Sequence, residues 1–138
     1  MFISFEEFKN MPEYNQFISQ NPDVGYVKVQ VFTAYEAIPI PDTQILITKK
    51  FGDKRVIFFE GKTDSSGIIS DIALPAPVTV PVGTPDVVPE YETYDLTAVH
   101  AGYETIKQFV IGVFGDVKII QYVKMTPEIK INGVDSND

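Results

Sequence analysis

The chain has 138 residues with no cysteine and no tryptophan, and its 19 acids against 11 Lys and Arg leave a net charge of −8. That length suffices for one hydrophobic core. The missing cysteines exclude disulfides, thiolate metal sites and cysteine nucleophiles, and the acidic balance argues against a nucleic-acid partner.

Ten Phe and seven Tyr, with many β-branched residues, favour pleated and half-buried surfaces, so an all-β fold is expected. The opening residues, Met1 to Glu7, lack a basic start, a long apolar run and a small-residue cleavage site. No secretory signal is expected there. No apolar stretch reaches the ~18 residues of a membrane span, so synthesis in the cytoplasm without membrane association is the expectation.

Residues 1–23 read as a helical N-terminal arm. Ser4 and Glu7 have the spacing of a capping box, and Pro12 fits the first turn of a second short helix. Phe2, Phe5, Phe8, Met11, Tyr14, Phe17 and Ile18 are a large apolar load for so short a segment, and are expected either to fold back over the sandwich as a lid or to form an interface with another subunit. Residues 24–127 read as the body. Val27, Val29 and Val31 alternate with Tyr26, Lys28, Gln30 and Phe32, which is the period of a half-buried strand.

Further strands are expected at 44–50, 55–60, 68–74, 91–101, 104–114 and 117–125, about seven in all, separated by turns at Gly52-Asp53, Asp64–Gly67 and Gly115-Asp116. Gly67 is expected to take a positive φ. Residues 75–89 hold five prolines, too many missing donors for a central strand, and read as an extended loop or sheet edge. Residues 128–138 read as a polar tail.

Chemistry is thinly signalled. His100 is the one histidine, and no nucleophile elbow accompanies it, so it reads as a strand-end residue. Asp64, Ser65, Ser66 and Asp71 lack the alternating spacing of a calcium loop and read as turn caps. Glu90, Glu92 and Asp95 do not converge as a glycosidase pair, because Glu92 and Asp95 fall on opposite faces of one strand. Lys49, Lys50, Lys54 and Arg55 cluster at a hairpin tip, where they could meet an anionic polymer or simply solvate the edge. Lys28 points away from the valine face, and no isopeptide bond is expected from it.

The order of Ala37-Ile38-Pro39-Ile40-Pro41-Asp42-Thr43, Thr63-Asp64-Ser65-Ser66-Gly67, Leu74-Pro75 and Tyr94 to Tyr103 resembles carboxypeptidase-regulatory-like domains, which are transthyretin-like β-sandwiches. A narrower resemblance, carried by residues 29–34, 37–40 and 74–77, is to the N-terminal module of clostridial spore cortex-lytic enzymes. The resemblance implies an all-β, Ig-like or transthyretin-like sandwich in a Gram-positive, spore or cell-wall setting. The lytic domains of those enzymes have no counterpart here, so no lytic activity follows.

The function expected on these grounds is that of a non-catalytic structural or adaptor subunit working through protein assembly. Its partners would be other subunits, including further copies of itself. The alternatives are a structural subunit of a phage or phage-tail-like particle and a carbohydrate-binding module for a cell-wall polymer, with Tyr26, Phe32 and Tyr35 as its aromatic platform. No cofactor, metal or catalytic residue is expected.

Overall fold

The valine alternation sets the centre of the molecule. In the computed structural model, which describes residues 1–78 and 90–129, strand β2 (Asp23–Thr33) buries Val27, Val29 and Val31 completely. Its other face carries Tyr26, Lys28, Gln30 and Phe32. β2 is the middle strand of a three-stranded sheet, flanked by antiparallel β5 (Ile68–Ala76) and parallel β8 (Lys118–Met125).

A five-stranded sheet packs across it in the order β1 (Phe2–Ser4), β4 (Lys54–Lys62), β3 (Gln44–Phe51), β6 (Glu92–Val99), β7 (Ile106–Val113). Ile45, Ile47, Val56, Tyr94, Leu96, Ala98, Ile111 and Val113 face the valines from this second sheet. The expected all-β sandwich is therefore the observed one, with eight strands among the described residues.

The Asp64 turn is built as its residues dictate. The Asp64 carboxylate accepts from the Ser66 and Ile68 amides at 2.8 and 3.0 Å, and Gly67 follows with φ +74°. A Cβ at Gly67 would collide with the Val31 carbonyl. Beneath the turn, buried Thr63 accepts from the Thr43 amide at 2.9 Å and donates to the Ile40 carbonyl at 2.8 Å, tying the start of β3 to the end of β4.

The N-terminal segment departs from the expected helix. Residues 2–4 form β1, parallel to β4, and helix starts only at α1 (Phe5–Phe8) and α2 (Pro12–Gln20). The capping box is present: Ser4 Oγ accepts from the Glu7 amide while Glu7 Oε1 accepts from the Ser4 amide, each at 3.1 Å. A three-residue strand is too short to show any period, and its pairing comes from β4, far along the chain.

The expected docking surface is here an intramolecular one. Phe8 and Phe17 are 1% and 5% exposed and plug one end of the sandwich against Phe51 and Phe58. Phe5, Met11, Tyr14 and Ile18 pack partly buried around them, and only Phe2 of the seven stays largely exposed. The arm thus shares the sandwich core, and β2 begins at Asp23, inside the segment expected to be arm. β5 also runs further than expected, through Pro75 to Ala76: on an edge strand a missing amide donor is tolerated. Residues 79–89 of the expected proline-rich loop and 130–138 of the expected tail lie outside the described residues.

Candidate ligand surface

The outer face of the three-stranded sheet is where exposed aromatic rings and cations meet. Parallel pairing of β2 with β8 sets Tyr26 beside Lys118, Lys28 beside Ile120, Gln30 beside Tyr122 and Phe32 beside Lys124. All four β8 residues are exposed. The Phe32 and Tyr122 rings meet edge to face with centroids 6.0 Å apart. Each rung but one therefore carries a lysine next to an apolar side chain. On β5, Asp71 holds a positive φ at a register shift and pairs with Lys118 at 3.0 Å. Lys28 and Lys124 have no acidic partner among the described residues.

Two of the three platform residues read from the sequence, Tyr26 and Phe32, share this face. Tyr35 does not: it sits in the turn beyond the end of β2 and is almost fully exposed. Tyr122 and Ile120 were missed. The alternation of Lys118, Ile120, Tyr122 and Lys124 marks them as one face, but only the β2–β8 register says which face they join.

The hairpin cations are not a free anion site. Lys49 bonds Glu92 at 2.7 Å and the Thr93 carbonyl at 2.9 Å, and lies 5.8 Å from the centre of the Tyr94 ring. Arg55 bonds Asp95 at 2.7 Å and Thr48 at 3.2 Å on the opposite face of the sheet. Lys54 lies 3.7 Å from Glu13 and 3.9 Å from Asp53. Lys50 alone of the four lacks an acidic partner among the described residues. Three of the four cations thus meet acids within the chain, which favours the edge-solvating reading over the anionic-polymer one.

Glu92 also accepts from Asn21 at 3.0 Å, which joins the end of the arm to the sandwich; Asn21 is 2% exposed and its Oδ1 has no partner among the described residues. Tyr94 donates to the Pro75 carbonyl between the two sheets. Burial raises its phenol well above the ordinary tyrosine range, and the charge of Glu92 adds to the effect.

His100 follows β6, with a ring nitrogen 2.7 Å from the Ala101 carbonyl and its ring edge-on to Tyr103. Asp64 caps its own turn and Asp71 holds Lys118, so these two do not gather. Among the described residues no group of three or more His, Cys, Asp or Glu is placed to hold a metal ion. No described helix is long and apolar enough to cross a membrane.

Concavities among the described residues include two that adjoin the sandwich. A groove of about 380 Å³ between the edges of β7 and β8 is lined by Ile106, Phe109, Tyr122, Val123 and Lys124. A cleft of about 290 Å³ between the arm and β5 is lined by Phe5, Val24, Phe58, Ala73, Leu74 and Pro75, with no charged group.

No family model matches the chain, and neither does any curated protein. Solved structures do. The 3-chlorocatechol 1,2-dioxygenase of Rhodococcus opacus 1CP is 10% identical with a TM-score of 0.50, over 77% of this chain and 61% of that one. A point mutant of the catechol 1,2-dioxygenase of Acinetobacter radioresistens is 11% identical with a TM-score of 0.51, over 93% of this chain and 57% of that one.

The chain thus spans about three fifths of the length of these structures, and at such identity the likeness concerns the fold. It nevertheless corrects the expected function. These neighbours are enzymes, so a sandwich of this fold gives no ground for a purely structural or adaptor subunit. That expectation is withdrawn together with its phage-particle and polymer-module alternatives.

Proposed function

We propose that the chain is a carboxypeptidase-regulatory-like, transthyretin-like binding module, and that the outer face of its three-stranded sheet takes an anionic ligand with a flat apolar side. One observation carries the reading: a chain of net charge −8 collects Lys28, Lys118 and Lys124 on a single strand-paired face, interleaved with Tyr26, Phe32 and Tyr122. Lys28 and Lys124, which lack an acidic partner among the described residues, attract an anion against the field of the whole molecule, while Lys118 is shared with Asp71; rings held on a rigid sheet offer stacking at small entropic cost. The His100 ring, engaged with the Ala101 carbonyl and Tyr103, supports binding rather than hydrolysis.

The test is an amide-resolved NMR titration with 2-naphthoate, which joins a carboxylate to a flat, fused apolar ring system. Shifts should concentrate on β2 and β8 and weaken with added salt. Tyr122→Ser should weaken binding about three- to tenfold, as the loss of one aromatic contact implies. Shifts confined to the Phe5–Phe58 cleft, or none at all, would refute the reading.

A further inference from the structure

The same sheet ends in an edge unlike the molecule's other edges. β1 is three residues long, β5 contains Pro75 and the positive-φ Asp71, and β7 contains the positive-φ Gln108. Short strands, prolines and bulges are the means by which folded proteins block pairing with another chain. β8 has none of these three, and its protection is confined to the lysines Lys118 and Lys124 near its two ends. It runs eight residues in unbroken register with β2, without proline or positive φ, and among the described residues no strand pairs along its other side.

The ladder fixes which groups that edge presents. The Tyr26 amide donates to the Val117 carbonyl and the Ala34 amide to the Met125 carbonyl. In a parallel pair the odd-numbered residues of β8 therefore bond to β2, and the amides and carbonyls of Lys118, Ile120, Tyr122 and Lys124 point outward. The Tyr122 carbonyl is met there by the Gln121 side-chain amide at 3.2 Å, a bond that an incoming amide would replace. The groove of Ile106, Phe109 and Val123 runs alongside. It is closed past Lys124 where the Glu128 amide bonds the Gly102 carbonyl and the Glu104 amide bonds the Thr126 carbonyl.

We propose that β8 takes an extended acidic peptide as an added strand. The proposal goes beyond the ligand-face reading above and shares with it only Lys118 and Lys124. Backbone bonds to Ile120 and Tyr122 would supply affinity. Alternate side chains would divide between the groove, which takes apolar groups, and the outer face, where acids meet Lys118 and Lys124. A second copy of this chain fits poorly. Antiparallel self-pairing centred on Gln121 sets Lys118 against Lys124 at both ends, and directly opposed like charges destabilise a strand pair.

The probe is the blocked peptide Glu-Leu-Thr-Val-Thr-Leu-Glu, with controls bearing Lys at both ends or N-methyl groups on alternate amides, measured by fluorescence anisotropy and amide hydrogen exchange. The Glu-ended peptide should bind and slow exchange at Ile120, Tyr122 and Lys124 by at least about tenfold. The Lys118→Gln, Lys124→Gln double variant and the Lys-ended peptide should each lose about tenfold or more in affinity. Equal binding of the N-methylated peptide would overturn strand addition while leaving the face reading intact. Failure of 2-naphthoate alone would sink the face reading but not the edge. Protection of the same amides by a concentration-dependent dimer without peptide would overturn the proposal in favour of a second copy.

Discussion

Phe8→Ala should be the most damaging single truncation in the N-terminal segment. The ring is 1% exposed and has four aromatic neighbours outside its own helix: Phe51 at 4.5 Å, Tyr14 at 5.6 Å, Phe17 at 5.9 Å and Phe58 at 6.2 Å between centroids. Lost transfer free energy alone gives about 1.5–3 kcal/mol. The cavity adds to it, because Phe51 and Phe58 are fixed on strands and cannot follow the missing ring. A loss of about 3–5 kcal/mol follows, a large part of the ~5–15 kcal/mol that holds such a domain together.

Urea unfolding followed by far-ultraviolet circular dichroism is the assay, since the chain has no tryptophan. The midpoint should fall with the slope unchanged. A loss below about 1 kcal/mol would mean that the arm does not share the sandwich core, and the packing argument for residues 5–18 would fail with it.

Three further outcomes are expected. Gly67→Val should cost about 1 kcal/mol from the left-handed backbone and more from the clash with the Val31 carbonyl; an unchanged thermal midpoint would refute the turn. Thr63→Val should cost about 1–3 kcal/mol, because the Thr43 amide loses its partner and the Ile40 carbonyl keeps only the 3.3 Å bond from the Thr43 hydroxyl, and a neutral result would show that water replaces the lost hydroxyl. Tyr94 is held neutral in the folded state and ionises more readily in the unfolded chain. Stability should therefore be intact below pH ~10 and fall above it by about 1.4 kcal/mol per pH unit from this group. Tyr94→Phe should remove that part of the alkaline slope, and identical alkaline profiles would contradict the burial argument.

The sandwich was legible because its signals are local. The Val27–Val31 alternation and the Asp64–Gly67 turn need only neighbours within a few residues, and both stand as read. What escaped depends on distance along the chain. Lys49 and Arg55 look like a basic cluster until β6 sets Glu92 and Asp95 against them. Phe8 and Phe17 look like a docking surface until Phe51 and Phe58 supply the wall they lean on. Tyr122 could be seen as a strand residue but not as a neighbour of Phe32, since parallel pairing of remote strands leaves no mark in either one.

That remote pairing also bears on how the chain is born. β2 emerges early in synthesis, yet Tyr26 waits for Lys118, near the other end of the chain, before its sheet has both neighbours. Until then the ribosome holds a nascent chain whose central strand is only half paired, and closing so long a loop is the slow kind of event in folding. The sheet can therefore close only after β8 has been made. The interval during which a chaperone can seize its valine face is set by when the last strand arrives.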